Sequence, residues 1–354
     1  MTQISTPKSH KNPDHLMIIV TKPEATDDEL QHLVDVIQQA GLRAHISRGA
    51  ERTIVGAIGD ETKIAAIPFT TIPGVESALP ILKPYKLASR SFRPEGSTIK
   101  IRNFTIGAGA PVAVCAGPCS VEPNETLMQT ARHAKAQGAK LLRGGAFKPR
   151  TSPYDFQGLA EEGLRMLDEA RQETGLAIVT EVMDTRDVDL IYKYADAFQI
   201  GARNAQNFNL LREVGKYDKP VFLKRGLSMT VKEWLMSAEY VMSQGNRDVI
   251  LVERGIRTFE TATRNTLDLC GVAVAQQETH LPVFVDPSHA AGDFKFVTKL
   301  SKAAVACGVD GLLVEVHPIP EKAYSDGAQT LNFDLFTDLM AQIKPVIEAV
   351  GRTL

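Results

Sequence analysis

The side chains of this sequence best suited to chemistry recur at one kind of place, just after a short apolar run. Cys119 lies in AGPCS (Ala116–Ser120), Arg143 opens RGGAFKPRTS (Arg143–Ser152), and Glu181 ends the run that begins at Ala177. Arg203 closes IGAR (Ile200–Arg203), Lys224 opens KRG (Lys224–Gly226), and Arg254 sits in ERG (Glu253–Gly255). His289 ends DPSH (Asp286–His289), and Glu315 stands in VEVHP (Val314–Pro318), with Asp326 following in Ser325-Asp326-Gly327. Two groups emerge. Arg143, Lys148, Arg150, Arg203, Lys224 and Arg254 are cations, and so many like charges in one cleft repel unless anions are expected; phosphate and carboxylate suit Arg forks and Lys point charges. The size of the set points to more than one anionic group. Cys119, His289, Glu315 and Asp326 form the second group: a thiolate, an imidazole and two carboxylates can hold a borderline divalent ion such as Zn, Mn, Fe or Co. Spacing alone gives no metal signature. Taken singly, Cys119 reads as an inert buried thiol and Asp326 as a turn residue.

What joins these residues is the set of elements that must carry them. The runs Val112–Ala116, Lys140–Arg143, Ala177–Glu181, Ala197–Ile200, Val221–Lys224, Val249–Glu253, Val283–Asp286 and Gly311–Val316 read as strands buried on both faces, alternating with helical stretches. That alternation implies a parallel α/β fold. Residues 97–354 approach the typical barrel length of about 250 residues, so a (β/α)8 TIM barrel is expected, with its active site at the strands' C-terminal ends. The competing doubly wound sheet lacks support: no G-x-G-x-x-G follows a strand, and no Walker A sequence occurs. A hairpin is expected at Thr98–Ile106. Upstream, Leu16–Thr21, Leu42–Ser47, Thr53–Gly59 and Val75–Leu82 read as strands, with a helix after the Thr26–Glu29 capping box and a shorter one at Glu61–Ile67. This β-α-β-β-α-β order predicts a small ferredoxin-like α+β domain. The expected organisation is a flexible tail at 1–14, the small domain at 15–82, a linker at 83–96 (KPYKLASRSFRPEG) and the barrel at 97–354.

Composition narrows the class. Lys plus Arg number 40 against 42 Asp plus Glu, a formal net charge of -2, which argues against a nucleic-acid binder working through a strong positive field. Four scattered cysteines do not suggest a disulfide framework, and the polar N-terminus and lack of a long apolar run suggest neither a signal peptide nor a membrane span. A cytoplasmic enzyme is the expectation.

The segments AGPCSVE, LRGGAFKPRTSPYDFQGL, IGARNAQNF, LKRG, ILVERGIRTFE, TRNTLDL, VDPSHAAG and VEVHPIPEKAYSDGAQTL, in order from about Thr98 onward, together closely resemble the 3-deoxy-D-arabino-heptulosonate 7-phosphate (DAHP) synthase family. The resemblance is to the branch that is similar to 3-deoxy-octulosonate 8-phosphate synthase and carries an N-terminal ferredoxin-like extension. It implies condensation of phosphoenolpyruvate with erythrose 4-phosphate, the first step of the shikimate pathway, with one divalent ion (Mn, Fe, Co or Zn) per subunit. Cys119, His289, Glu315 and Asp326 match the family's metal ligands. Arg143, Lys148, Ala202, Arg203, Lys224 and Arg254 match its phosphoenolpyruvate-binding positions. Lys148, Pro149, Arg150 and Thr151 match the segment that receives erythrose 4-phosphate, with Arg150 and Thr151 toward its phosphate. The resemblance also implies a homo-oligomer, a tetramer, and a tyrosine or phenylalanine effector on the N-terminal domain; an oligomerisation or solubility module is the alternative.

The residues fit that chemistry. A bound metal acts as a Lewis acid on the aldehyde oxygen. The C3 carbon of phosphoenolpyruvate attacks the aldehyde carbon, positive charge develops at C2, water adds there, and the hemiketal phosphate expels inorganic phosphate. Lys148 is a candidate proton shuttle and Glu181 a candidate for orienting the water. Three rival readings stand beside this one: the octulosonate synthase using arabinose 5-phosphate, a Schiff-base aldolase on Lys224 or Lys148, and a non-catalytic metabolite-sensing barrel. The KPRT run favours the heptulosonate enzyme over the first.

Overall fold

The computed structural model describes residues 15–49, 52–81, 84–148, 152 and 154–354. The chain forms two compact units, residues 1–86 and 87–354. The tail expected at 1–14 lies outside the described residues.

In the first unit β1 (His15–Thr21), β2 (Arg43–Arg48), β3 (Thr53–Gly59) and β4 (Val75–Ile81) form an antiparallel sheet in the order β2-β3-β1-β4. Helices α1 (Asp27–Gln39) and α2 (Glu61–Ala65) complete the ferredoxin-like pattern. Helix α1 begins where the sequence predicts. The Thr26 hydroxyl accepts from the Glu29 N–H, and the Glu29 carboxylate accepts from the Thr26 N–H, so two end donors are satisfied reciprocally. Leu30, Leu33, Val34 and Ile37 then fall on one face and bury against Ile19, Val55 and Ala57 of the sheet.

The second unit opens with the hairpin β5 (Thr98–Ile101) and β6 (Phe104–Gly107). A closed, parallel eight-stranded barrel comes next, built from β7 (Ala113–Gly117), β8 (Leu141–Arg143), β9 (Ala177–Glu181), β10 (Ala197–Ile200), β11 (Val221–Lys224), β12 (Val249–Glu253), β13 (Val283–Val285) and β14 (Gly311–Glu315). Pairing of β14 with β7 closes the ring. Helices α3 (Asn124–Ala136), α4 (Ala160–Thr174), α5 (Val188–Tyr194), α6 (Phe208–Val214), α7 (Val231–Met242), α8 (Leu269–Glu278), α9 (Pro287–Ala291), α10 (Phe294–Ala306) and α11 (Phe333–Ala349) lie after the strands. Every barrel-strand residue is buried, as parallel strands flanked on both faces require. The barrel is packed, not hollow: Phe222 and Phe284 meet edge to face at its centre, and Ile99, Ile101 and Ile106 of the hairpin join the same apolar cluster.

The stretch expected as linker, 83–96, divides. The boundary between units falls after Lys86, and residues 87–96 are fastened to the barrel. The Leu87 and Ala88 N–H groups donate to the Glu239 carboxylate, the His280 ring bonds the Leu87 carbonyl, and Arg90 donates to the Gln276 carbonyl. A backbone so thoroughly bonded does not behave as a free tether. Its lack of periodicity in sequence reflects capture by side chains from elsewhere, not solvation. Among the described residues no helix is long and apolar enough to cross a membrane, and Cys115, Cys119, Cys270 and Cys307 are all free thiols.

Candidate active site

The C-terminal ends of the barrel strands open into a cavity of about 340 Å³. Arg143, Lys148, Glu181, Ala202, Arg203, Lys224, Arg254, His289 and Asp326 line it together. Pro149, Arg150 and Thr151 lie outside the described residues.

On the β13–β14–β7 side, one ligand atom each from Cys119, His289, Glu315 and Asp326 lies within 4.8 Å of the others. Gly117 lets β7 turn into the Cys119 loop: its φ is +153°, and a Cβ there would meet the Arg143 carbonyl at 2.2 Å. The thiol of Cys119 donates to Asp326 Oδ2 at 3.0 Å, and Lys148 Nζ reaches both Cys119 Sγ and the Cys119 carbonyl at 3.0 Å. Burial, reinforced by the Glu315 and Asp326 carboxylates, pushes the Cys119 thiol up to about 12. Burial would also raise Asp326, but the Cys119 hydrogen bond and the positive charges near it hold its carboxyl well below the usual carboxylate range. Burial lowers His289 below the ordinary imidazole range despite Asp286 and Glu315, leaving a neutral ring of the kind metals bind. His289 Nδ1 lies 2.8 Å from Asp286 Oδ2, off hydrogen-bond geometry.

This donor set fits a divalent cation. Four ligand atoms of borderline softness converge, and Glu315 Oε1, fully buried, has no hydrogen-bond partner. An unpartnered buried carboxylate oxygen is costly, by roughly 1–3 kcal/mol or more, unless a ligand completes it. Arg143 Nη2 approaches that oxygen at 3.2 Å without forming a hydrogen bond to it.

Opposite stands the cationic wall. Arg143 is buried, with Nε and Nη1 lacking partners, and Lys224 is buried with Nζ donating to Asp286 Oδ2 at 2.7 Å. Arg254 is buried, whereas Arg203 projects into the cavity from an exposed position. Burial alone would lower Lys148, but the Cys119 side chain and Glu181 outweigh it and raise it, which keeps the amine protonated. Glu181 accepts from Gln199 Nε2 at 3.4 Å and passes so close to Gly201 that a Cβ there would lie 2.0 Å from its Oε1. A side chain in place of the glycine of IGAR would push that carboxylate from its present position.

Several further residues complete the site beyond those expected from the sequence. Asp286 holds Lys224 by its side chain and accepts from the His289 backbone N–H at 2.9 Å. Arg257, Arg264 and Asn265 line the mouth from the irregular stretch between β12 and α8, and Gln199 from within β10. Arg225, next to Lys224, points the other way and pairs with Glu253 and Asp268 behind the barrel wall. Strand alternation is the available signal for Arg225. The irregular stretch has no periodicity to offer, and its one signal is that Arg257 lies in ILVERGIRTFE and Arg264 and Asn265 in TRNTLDL, segments that carry the family resemblance.

The fold agrees with that of known proteins. Residues 91–349 match the DAHP synthetase I family, and residues 17–83 match the DAHP synthase ferredoxin-like domain. Over 335 residues the chain is 51% identical to the phospho-2-dehydro-3-deoxyheptonate aldolase of Thermotoga maritima, spanning 95% of this chain and 99% of that one. The crystal structure of that aldolase superposes with a TM-score of 0.77 at 49% identity, covering 96% and 99% of the two chains. More distant is the 2-dehydro-3-deoxyphosphooctonate aldolase of Syntrophotalea carbinolica, 36% identical over 67% of this chain and 91% of that protein. The chain belongs to the DAHP synthetase I family, as a member whose barrel is preceded by the family's ferredoxin-like domain.

Proposed function

We propose that the barrel mouth condenses phosphoenolpyruvate with erythrose 4-phosphate and water, giving DAHP and inorganic phosphate. One observation carries the assignment of residues: a single cavity joins the Cys119–His289–Glu315–Asp326 cluster to a wall of cations whose innermost member, Arg143, keeps two buried donor nitrogens without partners. Arg143, Lys148, Ala202, Arg203, Lys224 and Arg254 bind the phosphate and carboxylate of phosphoenolpyruvate. Pro149, Arg150 and Thr151, with Lys148, receive the aldehyde phosphate. Cys119, His289, Glu315 and Asp326 would hold a divalent ion, which supplies Lewis-acid polarisation of the aldehyde oxygen when bound.

The chain's own groups do the rest. Two polyanions are held side by side by fixed cations, so their mutual repulsion and orientation are dealt with on binding and not in the transition state. Protonated Lys148, 3.0 Å from Cys119 Sγ, can give a proton to the oxygen that becomes the product hydroxyl. Glu181 and Gln199 border a second cavity of about 10 Å³, also lined by Arg143 and Cys119. That is near the size of one water, and Glu181 there can orient the water that adds at C2.

The test is phosphate release from phosphoenolpyruvate with the four-carbon or the five-carbon aldehyde phosphate, with and without chelator. Turnover with the four-carbon aldehyde, lost in chelator and restored by Mn2+ or Co2+, is expected. Turnover only with the five-carbon aldehyde would overturn the substrate assignment, and undiminished turnover in chelator would overturn the metal.

For the N-terminal domain the reading is control by tyrosine or phenylalanine within a homo-oligomer, favoured as a tetramer. Its support is an apolar patch, Ile18, Val20, Ile54 and Leu79, on the helix-free face of the sheet, with Leu79 57% exposed and Arg43, His45 and Ser47 of β2 on the same face. Such a face suits docking. Slowing of the full chain by either amino acid at millimolar concentration, and loss of that response on removal of residues 1–86, is expected; no response from the full chain would make the domain a structural appendage.

A further inference from the structure

Two side chains outside the proposed ligand set fix its carboxylates. Gln329 is buried, and its amide forms a bridge: Nε2 donates to Glu315 Oε2 at 2.6 Å while Oε1 accepts from Arg264 Nη1 at 2.8 Å. The same guanidinium nitrogen donates to Asp326 Oδ1 at 3.0 Å. Each carboxylate is therefore held by one oxygen, and its other oxygen faces the centre of the cluster. Asp326 Oδ2 lies 3.0 Å from Cys119 Sγ, and Glu315 Oε1 lies 3.5 Å from His289 Nε2 with no hydrogen-bond partner. The amide can sit only one way round, because a guanidinium only donates and a carboxylate only accepts. Asp326 itself has φ +54°, a left-handed conformation uncommon for a residue with a Cβ, and its carbonyl accepts from Thr330 Oγ1 at 2.9 Å.

We propose that Arg264 and Gln329 form a clamp that presents Glu315 and Asp326 to the metal through a single oxygen each, and so sets the affinity and coordination geometry of the centre. They are positioning residues, acting through the ligands. This rests on the metal reading given above. A carboxylate free to rotate can offer both oxygens or swing out of reach; the clamp removes that freedom before the ion arrives, so ion binding need not supply the ordering. Arg264 also carries a charge that repels a cation. Its side chain is 42% exposed, so solvent screens that repulsion while the short hydrogen bonds act locally, and the net effect favours binding.

The test uses the full-length chain stripped of metal and titrated with Co2+ alone, read by the thiolate-to-cobalt charge-transfer band and by competition with a chromophoric chelator. Wild type should bind one ion with a band that Cys119→Ser removes. Gln329→Leu should bind about 10- to 100-fold more weakly, with an altered ligand-field spectrum. Arg264→Met should move affinity and spectrum the same way, and Arg264→Lys should recover most of the loss, since an ammonium can donate to both oxygens. Wild-type affinity and spectrum in a folded Gln329→Leu would overturn the clamp and leave the metal centre standing. If that buried variant does not fold, Arg264→Met decides: unchanged cobalt binding there overturns the clamp. Absence of a Cys119-dependent band in wild type would overturn the metal reading and the clamp together.

Discussion

The two ends of the barrel use the same kinds of residue to opposite purposes. At the base, where strands begin, buried and half-buried polar groups such as His280, Arg352 and Asp310 find partners. Arg352 donates to the carbonyls of Gly308, Val309 and Ala110 and pairs with Asp310, whose carboxylate in turn accepts from the Val283 N–H. His280 bonds the Leu87 carbonyl on one side and Ser97 Oγ on the other. At the mouth the accounting stays open. Among the described residues, the buried side-chain atoms without hydrogen-bond partners are Arg143 Nε and Nη1, His289 Nδ1, Glu315 Oε1 and, away from the mouth, Ser237 Oγ. A closed network contributes to folding stability, whereas an open one costs stability and keeps its valences for a ligand. The barrel is held from below so that it can be left incomplete above.

The largest break in that contrast comes from removing a mouth residue that closes the proposed metal centre. Cys119→Ala should lose tight binding of a divalent ion and lower turnover by at least about a thousandfold, since metal polarisation supplies several kcal/mol of transition-state stabilisation. Folding should be little disturbed, because among the described residues the thiol hydrogen-bonds only the ligand Asp326 and Lys148. Metal content by elemental analysis, beside steady-state rates, checks both halves; full activity in excess EDTA would sink the assignment.

Arg203→Ala should act more gently and more selectively. The side chain is exposed, with no ion pair among the described residues, so its loss should change stability by no more than about 0.5 kcal/mol. A hydrogen bond from a charged group to phosphate or carboxylate contributes roughly 1.5–3 kcal/mol, so the Michaelis constant for phosphoenolpyruvate should rise about ten- to hundredfold, and more than that for the aldehyde. An unchanged constant and rate would remove Arg203 from the binding wall.

The same contrast explains what the sequence can disclose. Each barrel strand sits within a residue of its expected bounds at either end, because strands buried on both faces leave unbroken apolar runs, and the charged residue ending most runs marks the mouth. The last strand stops at Glu315, one residue short of the expected Val316: Val316 continues the apolar run and its N–H still bonds the Gly117 carbonyl of β7, but its bridge partner is Leu331. The clamp is not legible. Arg264 and Gln329 both lie in segments that carry the family resemblance, but one comes from a stretch with no period and the other from a turn, so nothing in their spacing says that they meet over Glu315. The fastening of residues 87–96 is equally hidden, because the partners that hold it, Glu239, Gln276 and His280, lie far along the chain.

The smallest expected effect lies at the base and should touch stability alone. Burial, with Arg93 and Arg90 nearby, holds His280 below the ordinary imidazole range, against the opposing influence of the Leu87 carbonyl and Glu95. The folded site therefore keeps the ring neutral, its Nε2–H directed at the Leu87 carbonyl and its Nδ1 accepting from Ser97 Oγ–H. The unfolded chain binds a proton at this position once pH falls below about 6.5, where the folded chain still resists it. Stability from His280 is thus complete above that pH and declines as pH falls from about 6.5 toward the depressed folded value, because the state with more bound protons is favoured by acid. His280→Gln keeps a donor for the Leu87 carbonyl but cannot titrate. Its denaturation midpoint should fall less steeply than that of wild type between about pH 6.5 and 5, while kcat at neutral pH stays the same because the residue lies at the far end of the barrel from the mouth. Parallel midpoint curves would show that His280 is not held neutral, and a changed kcat with parallel curves would show that base and mouth do not divide the labour as their hydrogen bonds suggest.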